Sequence, residues 1–165
     1  MNYLIRKAKV EDTDAIIEIV KDVVKNKEDS GLNWDDSYPN KEVYLKDIEN
    51  DKLYVIILNN KVLGAIATYE ELDKEYENVN WNVRDGLVIH RLVVHREYQK
   101  LGLGSLLMEY VENEAKKLNI ESIKLDTYSK NIKGVNFYKK NGYKIKGNIN
   151  LAPWKEKFYC FEKLL

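Results

Sequence analysis

Two closely spaced glycines mark the junction between an apolar run and a long helical pattern. Gly102 and Gly104 follow the stretch that ends at Val94, in a chain with only eight glycines. Glycines at the start of a helix leave backbone N–H groups uncovered where the helix dipole is positive, which suits a phosphate. The spacing matches neither a dinucleotide fingerprint, because Leu107 stands at the third glycine position, nor a P-loop. On spacing alone, a pyrophosphate site and an ordinary capping turn are equal alternatives.

The elements that must position this junction predict a single mixed α/β domain over residues 1–165. Apolar residues at helical spacing predict helices at 10–26, 40–50, about 101–118 and 131–141, the second opened by Pro39 and the last ended by Gly142. β-rich runs predict strands at 3–8, 52–70, 87–94, 122–127, 143–147 and 157–165, with a polar loop at 27–39 and a hairpin turn at Asn59 and Asn60. The helix at 101–118 is expected to bury one face, formed by Leu103, Leu106, Leu107, Tyr110, Val111, Ala115 and Leu118.

Composition excludes several classes of protein. The net charge of zero and the pI of about 6.8 lack the basic excess of a nucleic-acid-binding protein. No apolar run approaches the roughly 20 residues that span a bilayer, and the N-terminus lacks a signal-peptide core, so we expect a cytoplasmic protein. The lone cysteine, Cys160, forms no metal-binding pattern and is expected in the core.

Two motifs in register resemble the GNAT superfamily of N-acetyltransferases. The acyl-CoA signature of that family, Val-x-x-x-x-Gln/Arg-x-x-Gly-x-Gly/Ala, is similar to Val94, Gln99, Gly102 and Gly104. A second family motif, Asn-x-x-Ala-x-x-Phe-Tyr-x-x-x-Gly-Phe, is similar to residues 131–143, with Gly134 and Tyr143 in place of the alanine and the final phenylalanine. The order of elements also agrees, so the resemblance covers essentially the whole chain. It implies an α/β fold whose mixed, mostly antiparallel sheet has about six to seven strands, helices on both faces and a splay at the acyl-CoA strand.

The resemblance implies that acetyl-CoA is the donor and CoA the product. Leu92, Val93 and Val94 would pair with the pantetheine arm, and Asn131 would contact the cofactor near the thioester. Tyr138 would be the general acid that protonates the leaving thiolate, although packing beside Phe137 is an alternative role. The pyrophosphate would lie against the segment formed by Gln99, Lys100, Leu101, Gly102, Leu103, Gly104 and Ser105.

The general base is open at this stage. His90 lies on the face of Leu92 and Val94 if the strand is regular, and a free histidine pKa near 6.5 suits a base, but a structural histidine is an equal alternative. Asp126 corresponds to the position where some peptide-directed members of the family carry a glutamate base. Glu70 is a third candidate, and many members use an ordered water instead.

The resemblance leaves the acceptor amine open. The regions that border the acceptor in the family contain aromatic and acidic residues here: Trp34, Tyr38, Glu70 and Trp81. Such residues would suit a cationic amine, although acidic loops are also ordinary solvated surface. We predict acetyl transfer to a primary amine of a small molecule or amino acid derivative. The alternatives are acetylation of a peptide N-terminus or lysine, and a non-catalytic acyl-CoA-binding module. No metal, nucleic-acid or membrane partner is expected, and a homodimer is an expectation by analogy with the family.

Overall fold

The computed structural model describes residues 1–28 and 30–165. Residue 29, which falls within the predicted loop at 27–39, lies outside the described residues. The strands are β1 (Leu4–Lys7), β2 (Leu53–Leu58), β3 (Lys61–Tyr69), β4 (Leu87–Val94), β5 (Ser122–Tyr128), β6 (Lys144–Ile149) and β7 (Phe158–Leu164). The helices are α1 (Thr13–Lys25), α2 (Lys41–Glu49), α3 (Leu103–Lys117) and α4 (Ile132–Lys140). The predicted order of helices and strands is confirmed.

The strands form one seven-stranded mixed sheet in the order β1-β2-β3-β4-β5-β7-β6. The pairs β1–β2, β2–β3, β5–β7 and β6–β7 are antiparallel, and β4 pairs with β5 in parallel. That parallel ladder joins only Leu87 to Ile123 and Val88 to Lys124, at the start of β4. The predicted mixed, mostly antiparallel sheet is confirmed, and so short a ladder agrees with the expected splay at this strand.

Local sequence explains where several elements turn or begin. Asn59 and Asn60 both adopt positive φ angles, 49° and 63°, as a two-residue type I′ hairpin requires. Helix α2 begins one residue later than predicted, because the side chain of Asn40 accepts a hydrogen bond from the N–H of Val43 and caps the helix. Gly142, with a φ of 88°, ends α4 as predicted.

The buried stripe of α3 differs in part from the prediction. Leu106 and Leu118 are exposed, whereas Met108 is buried. Residues four apart along one line of the helix, Leu103, Leu107, Val111 and Ala115, are all buried. The stripe is therefore narrower than the apolar positions alone indicated.

The chain divides into two compact units. The first comprises residues 1–26, 34–68 and 90–111, and the second comprises residues 27–33, 69–89 and 112–165. Apolar side chains of α1, β2 and β3 are buried in the first unit, among them Ile16, Val55 and Leu63. In the second unit, one buried cluster contains Tyr76, Val88, Ile149, Phe158 and Cys160. Cys160 is a buried core residue, as predicted, and burial raises the pKa of its thiol to about 12.

Within the described residues, no helix is both long and apolar enough to cross a bilayer.

Candidate functional site

The glycine turn lies in the first unit, between β4 and α3. After a 3-10 turn at Arg96–Tyr98, Lys100 and Gly102 adopt positive φ angles of 66° and 86°. The first turn of α3 closes with the N–H of Leu106 donating to the carbonyl of Gly102 at 3.0 Å. The N–H groups of residues 103–105 therefore have no acceptor one helical turn earlier.

The space beside Gly102 is open. A Cβ atom on residue 102 would meet no atom within 4 Å in the described part of the chain. Glycine is therefore favoured here by the positive φ angle and not by a lack of space. Exposed Lys100 adjoins the turn, whereas the guanidinium of Arg96 is paired with Asp22 at 3.3 Å. An uncovered helix N-terminus with open space and a neighbouring cation is a suitable site for the pyrophosphate of CoA.

The end of β4 is joined to this turn by a side chain. Gln99 donates from Nε2 to the carbonyl of Val94 at 3.1 Å. On the preceding residue, the carbonyl of Val93 lies 2.7 Å from where a Cβ of Gly64 would stand, so only glycine permits this approach of β3 to β4. The predicted pantetheine strand, Leu92 to Val94, and the predicted pyrophosphate turn therefore form one connected segment.

The irregularity of β4 at Arg91 overturns one premise of the sequence analysis. Arg91 has a φ of 51°, far from extended geometry. The expectation that His90 shares a face with Leu92 and Val94 required a regular strand, because alternation holds only where each residue is extended. That condition is not met, so alternation along β4 does not place His90 on the face of Leu92 and Val94, and its role as a base stays a prediction.

Arg91 is held by the segment that precedes α2 and by α2 itself. Its guanidinium donates two hydrogen bonds to the Asp47 carboxylate, at 2.8 and 2.7 Å, and one to the Tyr38 hydroxyl at 3.1 Å. The Arg91 and Asp47 side chains are only 9% and 1% exposed, so this bidentate pair is desolvated. Tyr38, a predicted acceptor-binding residue, is thus hydrogen-bonded to β4, the predicted cofactor strand, within the first unit.

In the second unit, Asn131 caps α4. Its Oδ1 accepts a hydrogen bond from the N–H of Gly134 at 3.1 Å. A Cβ on residue 134 would lie 2.7 Å from Asn131 Nδ2, so the glycine that replaces the family's alanine gives this amide room over the first turn of the helix. The structure assigns Asn131 a capping role, and its predicted contact with the cofactor remains a prediction.

Tyr138 lies on α4 among aromatic rings. The ring centroids of Phe137, Tyr143 and Phe161 are 5.2, 6.2 and 5.7 Å from that of Tyr138. Its hydroxyl makes no hydrogen bond to any residue that the structure describes. Burial, and secondly the negative charge of Asp126, raise the pKa of this phenol above its ordinary value. The group is therefore protonated at neutral pH and has a proton to donate.

Asp126 is a partly buried carboxylate on β5, opposite Cys160 of β7. The hydroxyl of Tyr76 donates to its Oδ1 at 2.6 Å, and Oδ2 accepts no hydrogen bond within the described residues. Burial raises the pKa of Asp126 to about 6; the Tyr76 hydrogen bond opposes this rise, and the charges of Asp73 and Glu75 add to it. A carboxylate with this pKa is ionised at neutral pH and is a stronger base than an exposed aspartate.

Sequence reasoning missed Tyr76. It lies in a 3-10 turn at Lys74–Tyr76, inside a segment whose many acidic residues indicated only a polar excursion before β4. The side chain is 1% exposed, and no periodicity in its neighbourhood predicts that burial. The available signal was an aromatic residue among acids, which is too common to identify a site.

The predicted acceptor-binding residues fall in different units. Trp34 and Tyr38 belong to the first, and Glu70 and Trp81 to the second. Glu70 is exposed just beyond the end of β3. Trp81 donates from Nε1 to the carbonyl of Tyr76 at 3.0 Å, and Lys124 Nζ lies 5.2 Å from its ring. A cation of the chain itself therefore already occupies one position over the Trp81 ring.

Buried charges hold the segment after Trp81. The Glu162 carboxylate accepts from the N–H groups of Asn82 and Val83 at 2.8 and 3.1 Å and pairs with Lys124 at 3.3 Å. Lys124 also donates to the carbonyl of Asp85 at 2.8 Å. These bonds satisfy both buried charges and attach the segment before β4 to β5 and β7.

Comparison with known proteins identifies the family. Residues 18–143 match the model of the acetyltransferase (GNAT) family. The chain belongs to this family. It is 31% identical over 116 residues to a Drosophila melanogaster protein named Probable N-acetyltransferase san, covering 67% of this chain and 59% of that relative's length.

Solved structures share the fold over the full chain. An acetyltransferase of the GNAT family from Streptococcus agalactiae has a TM-score of 0.82 at 19% identity, covering 99% of this chain and 95% of that one. The PaiA N-acetyltransferase from Thermoplasma acidophilum, solved in complex with coenzyme A, has a TM-score of 0.73 at 21% identity and full coverage of both chains. At these identities the likeness establishes the fold alone.

Proposed function

We propose that residues 1–165 form one acetyltransferase domain that transfers the acetyl group of acetyl-CoA to a primary amine. The observation that carries the proposal is a protonated phenol, Tyr138, whose pKa is raised by burial and by the charge of the Asp126 carboxylate, in a chain of the GNAT family. The open turn at Gly102 and the coenzyme A complex of a structural neighbour support the choice of donor. Acetyl-CoA supplies an activated thioester.

The residues of this chain would move two protons. An alkyl amine has a pKa of about 10.4 and is mostly protonated at neutral pH, so it must lose a proton before it can attack. Asp126 Oδ2 is the proposed acceptor of that proton, which it then returns to solvent. The Tyr138 hydroxyl is the proposed donor to the leaving sulfur, and the second proton that the nitrogen loses as the amide forms restores this hydroxyl. His90 remains a candidate base from the sequence.

The two groups are coupled electrostatically in a useful direction. The Asp126 charge contributes to the high pKa of Tyr138. When Asp126 accepts the amine proton, that charge disappears and the pKa of Tyr138 falls. Proton uptake by the base therefore makes the acid stronger at the stage when the thiolate leaves.

The acceptor we propose is a cationic amine of a small molecule or amino acid derivative. Acidic and aromatic residues of the predicted acceptor segments support this class, because both attract cations. A panel of polyamines, amino acid amides, aminoglycosides, N-terminal peptides and lysine peptides, assayed with acetyl-CoA by release of CoA thiol, tests it. Turnover confined to peptides would instead indicate the peptide or lysine acetyltransferase.

Replacement of Tyr138 tests the general acid directly. We expect Tyr138→Phe to lower kcat by about 10²–10³-fold, because proton donation to the leaving group is lost, while CoA affinity stays within about twofold. The variant keeps the ring that packs against Phe137 and Phe161. Wild-type turnover by this variant would refute the acid role, and cofactor binding without turnover by the wild-type protein would indicate a binding module.

A further inference from the structure

Tyr76 links Asp126, the proposed base, to a buried cluster of the second unit. Its hydroxyl reaches Asp126 Oδ1 at 2.6 Å, and its side chain is 1% exposed in the cluster that also contains Cys160 and Phe158. Its carbonyl accepts the Trp81 indole N–H at 3.0 Å, and the two ring centroids are 5.2 Å apart. A phenol held in this way has little freedom to release the carboxylate.

One oxygen of Asp126 is therefore committed and the other is not. Tyr76 binds Oδ1, whereas Oδ2 accepts no hydrogen bond from the residues that the structure describes. A carboxylate that acts as a base needs a fixed orientation and one oxygen that can still accept a proton. The Tyr76 hydrogen bond to Oδ1 fixes the orientation of Asp126 and leaves Oδ2 available. A donor that bound both oxygens would block the base, and a Tyr76 hydroxyl bound to another group would not orient it.

We propose that Tyr76 is a positioning residue for the reaction, which orients Asp126 through Oδ1 so that Oδ2 receives the proton of the acceptor amine. This inference rests on the proposed function. It assigns a role to a residue in the segment between β3 and β4, for which the acyl-CoA motif and the α4 motif make no provision.

Two acidic groups act on the Asp126 charge besides Tyr76, and both come from the segment before β4: Asp73 and Glu75. The Asp126 charge in turn contributes to the raised pKa of Tyr138 on α4 and of Cys160 on β7. Asp73 and Glu75 raise the pKa of Asp126, whereas the Tyr76 hydrogen bond lowers it. Loss of the Tyr76 hydroxyl should consequently move the carboxyl pKa upward, to a higher pH than in the wild-type protein.

The test compares Tyr76→Phe with Tyr143→Phe in the full-length protein. Tyr143 is also a buried tyrosine of the second unit that donates to a carboxylate, Glu112, at 2.9 Å, so its replacement removes a similar bond away from Asp126. For Tyr76→Phe we expect kcat to fall about 10–100-fold and the KM for acetyl-CoA to be unchanged. We also expect the acidic limb of the plot of kcat/KM against pH to shift to higher pH by about one unit. For Tyr143→Phe the acidic limb should stay in place.

A measurement without substrate separates this inference from the proposed function. The ¹³C resonance of the Asp126 carboxyl, assigned with Asp126→Asn, should titrate at higher pH in Tyr76→Phe than in the wild-type protein. An unmoved carboxyl titration, or a Tyr76→Phe enzyme with wild-type kcat and an unmoved acidic limb, would overturn the role of Tyr76. If the wild-type protein acetylates no amine, the proposed function fails, and the carboxyl titration still decides whether Tyr76 controls Asp126.

Discussion

At the scale of single residues, environment decides what each carboxylate or phenol can do. Asp126 and Asp47 are both aspartates with limited solvent contact. The Arg91 guanidinium neutralises Asp47 through two hydrogen bonds, whereas among the described residues Asp126 accepts a hydrogen bond only from a phenol hydroxyl. An ion pair makes Asp47 a structural group. Asp126 retains a costly charge that is available for proton transfer.

That cost predicts a gain in stability when the charge is removed. Since the pKa of Asp126 is raised from 3.8 to about 6, its ionised form disfavours folding by up to about 3 kcal/mol. We expect Asp126→Asn to raise the free energy of unfolding by about 1–3 kcal/mol at pH 8, while acetyl transfer is lost. The amide retains an oxygen that can accept the Tyr76 hydrogen bond.

The gain should depend on pH in a defined direction. Wild-type Asp126 becomes protonated in the folded protein as the pH falls through 6, so the advantage of Asp126→Asn should shrink and disappear near pH 4. Urea unfolding at several pH values measures this. Asp14→Asn is a control. Asp14 is exposed and pairs with Lys41, which lowers the pKa of Asp14, so its replacement should not raise the free energy of unfolding. Equal stability of Asp126→Asn and wild type at pH 8 would contradict the prediction.

At the scale of elements, the backbone geometry at the junction of β4 and α3 supports the proposed binding of CoA there. Lys100 and Gly102 adopt positive φ angles, and Gln99 bonds back to Val94, so the chain enters α3 with its first N–H groups uncovered. Helix α4 begins differently, because the Asn131 side chain occupies its N-terminus. Of these two helix N-termini, that of α3 is the one that combines open backbone donors with open space.

The open space before α3 predicts that alanine at Gly102 and alanine at Gly142, which follows α4, have different effects on CoA binding. Gly102 and Gly142 have φ angles of 86° and 88°, so alanine at either position should destabilise the protein by about 1–2 kcal/mol through backbone strain. Only Gly102→Ala places a methyl group in the proposed pyrophosphate site, and we expect it to weaken CoA binding about tenfold or more. Calorimetric titration with CoA measures this, with Gly142→Ala as the matched control. Wild-type affinity in Gly102→Ala would exclude the proposed pyrophosphate site.

At the scale of the whole molecule, two elements contribute to both compact units. Strand β4 supplies residues 87–89 to the second unit and 90–94 to the first, and α3 is divided after residue 111. Unfolding of either unit would interrupt β4 and α3, because each of these elements runs through both units. We therefore expect the units to unfold together, as a single domain does.

The three tryptophans allow this to be measured. Trp34 belongs to the first unit and Trp154 to the second. The variants Trp81→Phe/Trp154→Phe and Trp34→Phe/Trp81→Phe each retain one reporter and both lack Trp81. In each variant we expect the fluorescence midpoint in urea to coincide with its own far-ultraviolet circular dichroism midpoint. Separate midpoints in either variant would show that the units unfold independently.

The sequence by itself determined the order of elements, the hairpin turn, the glycine turn and the family resemblance. Such features depend on residues close together in the chain: Asn59 and Asn60 select a tight turn, and Gly102 permits a left-handed backbone before α3. Apolar periodicity likewise reports the local face of a helix, although it overestimated the buried stripe at Leu106 and Leu118.

The tertiary structure alone decided which distant side chains meet. Tyr76 and Asp126 are 50 residues apart, and Arg91 and Asp47 are 44 apart, so no local pattern relates them. The bend at Arg91 also removed the regular alternation on which the placement of His90 depended. The pKa of a side chain depends on its burial and on the charges that folding brings close to it. The sequence could therefore name Asp126 as a candidate base, but only the structure supplies a physical reason to prefer it.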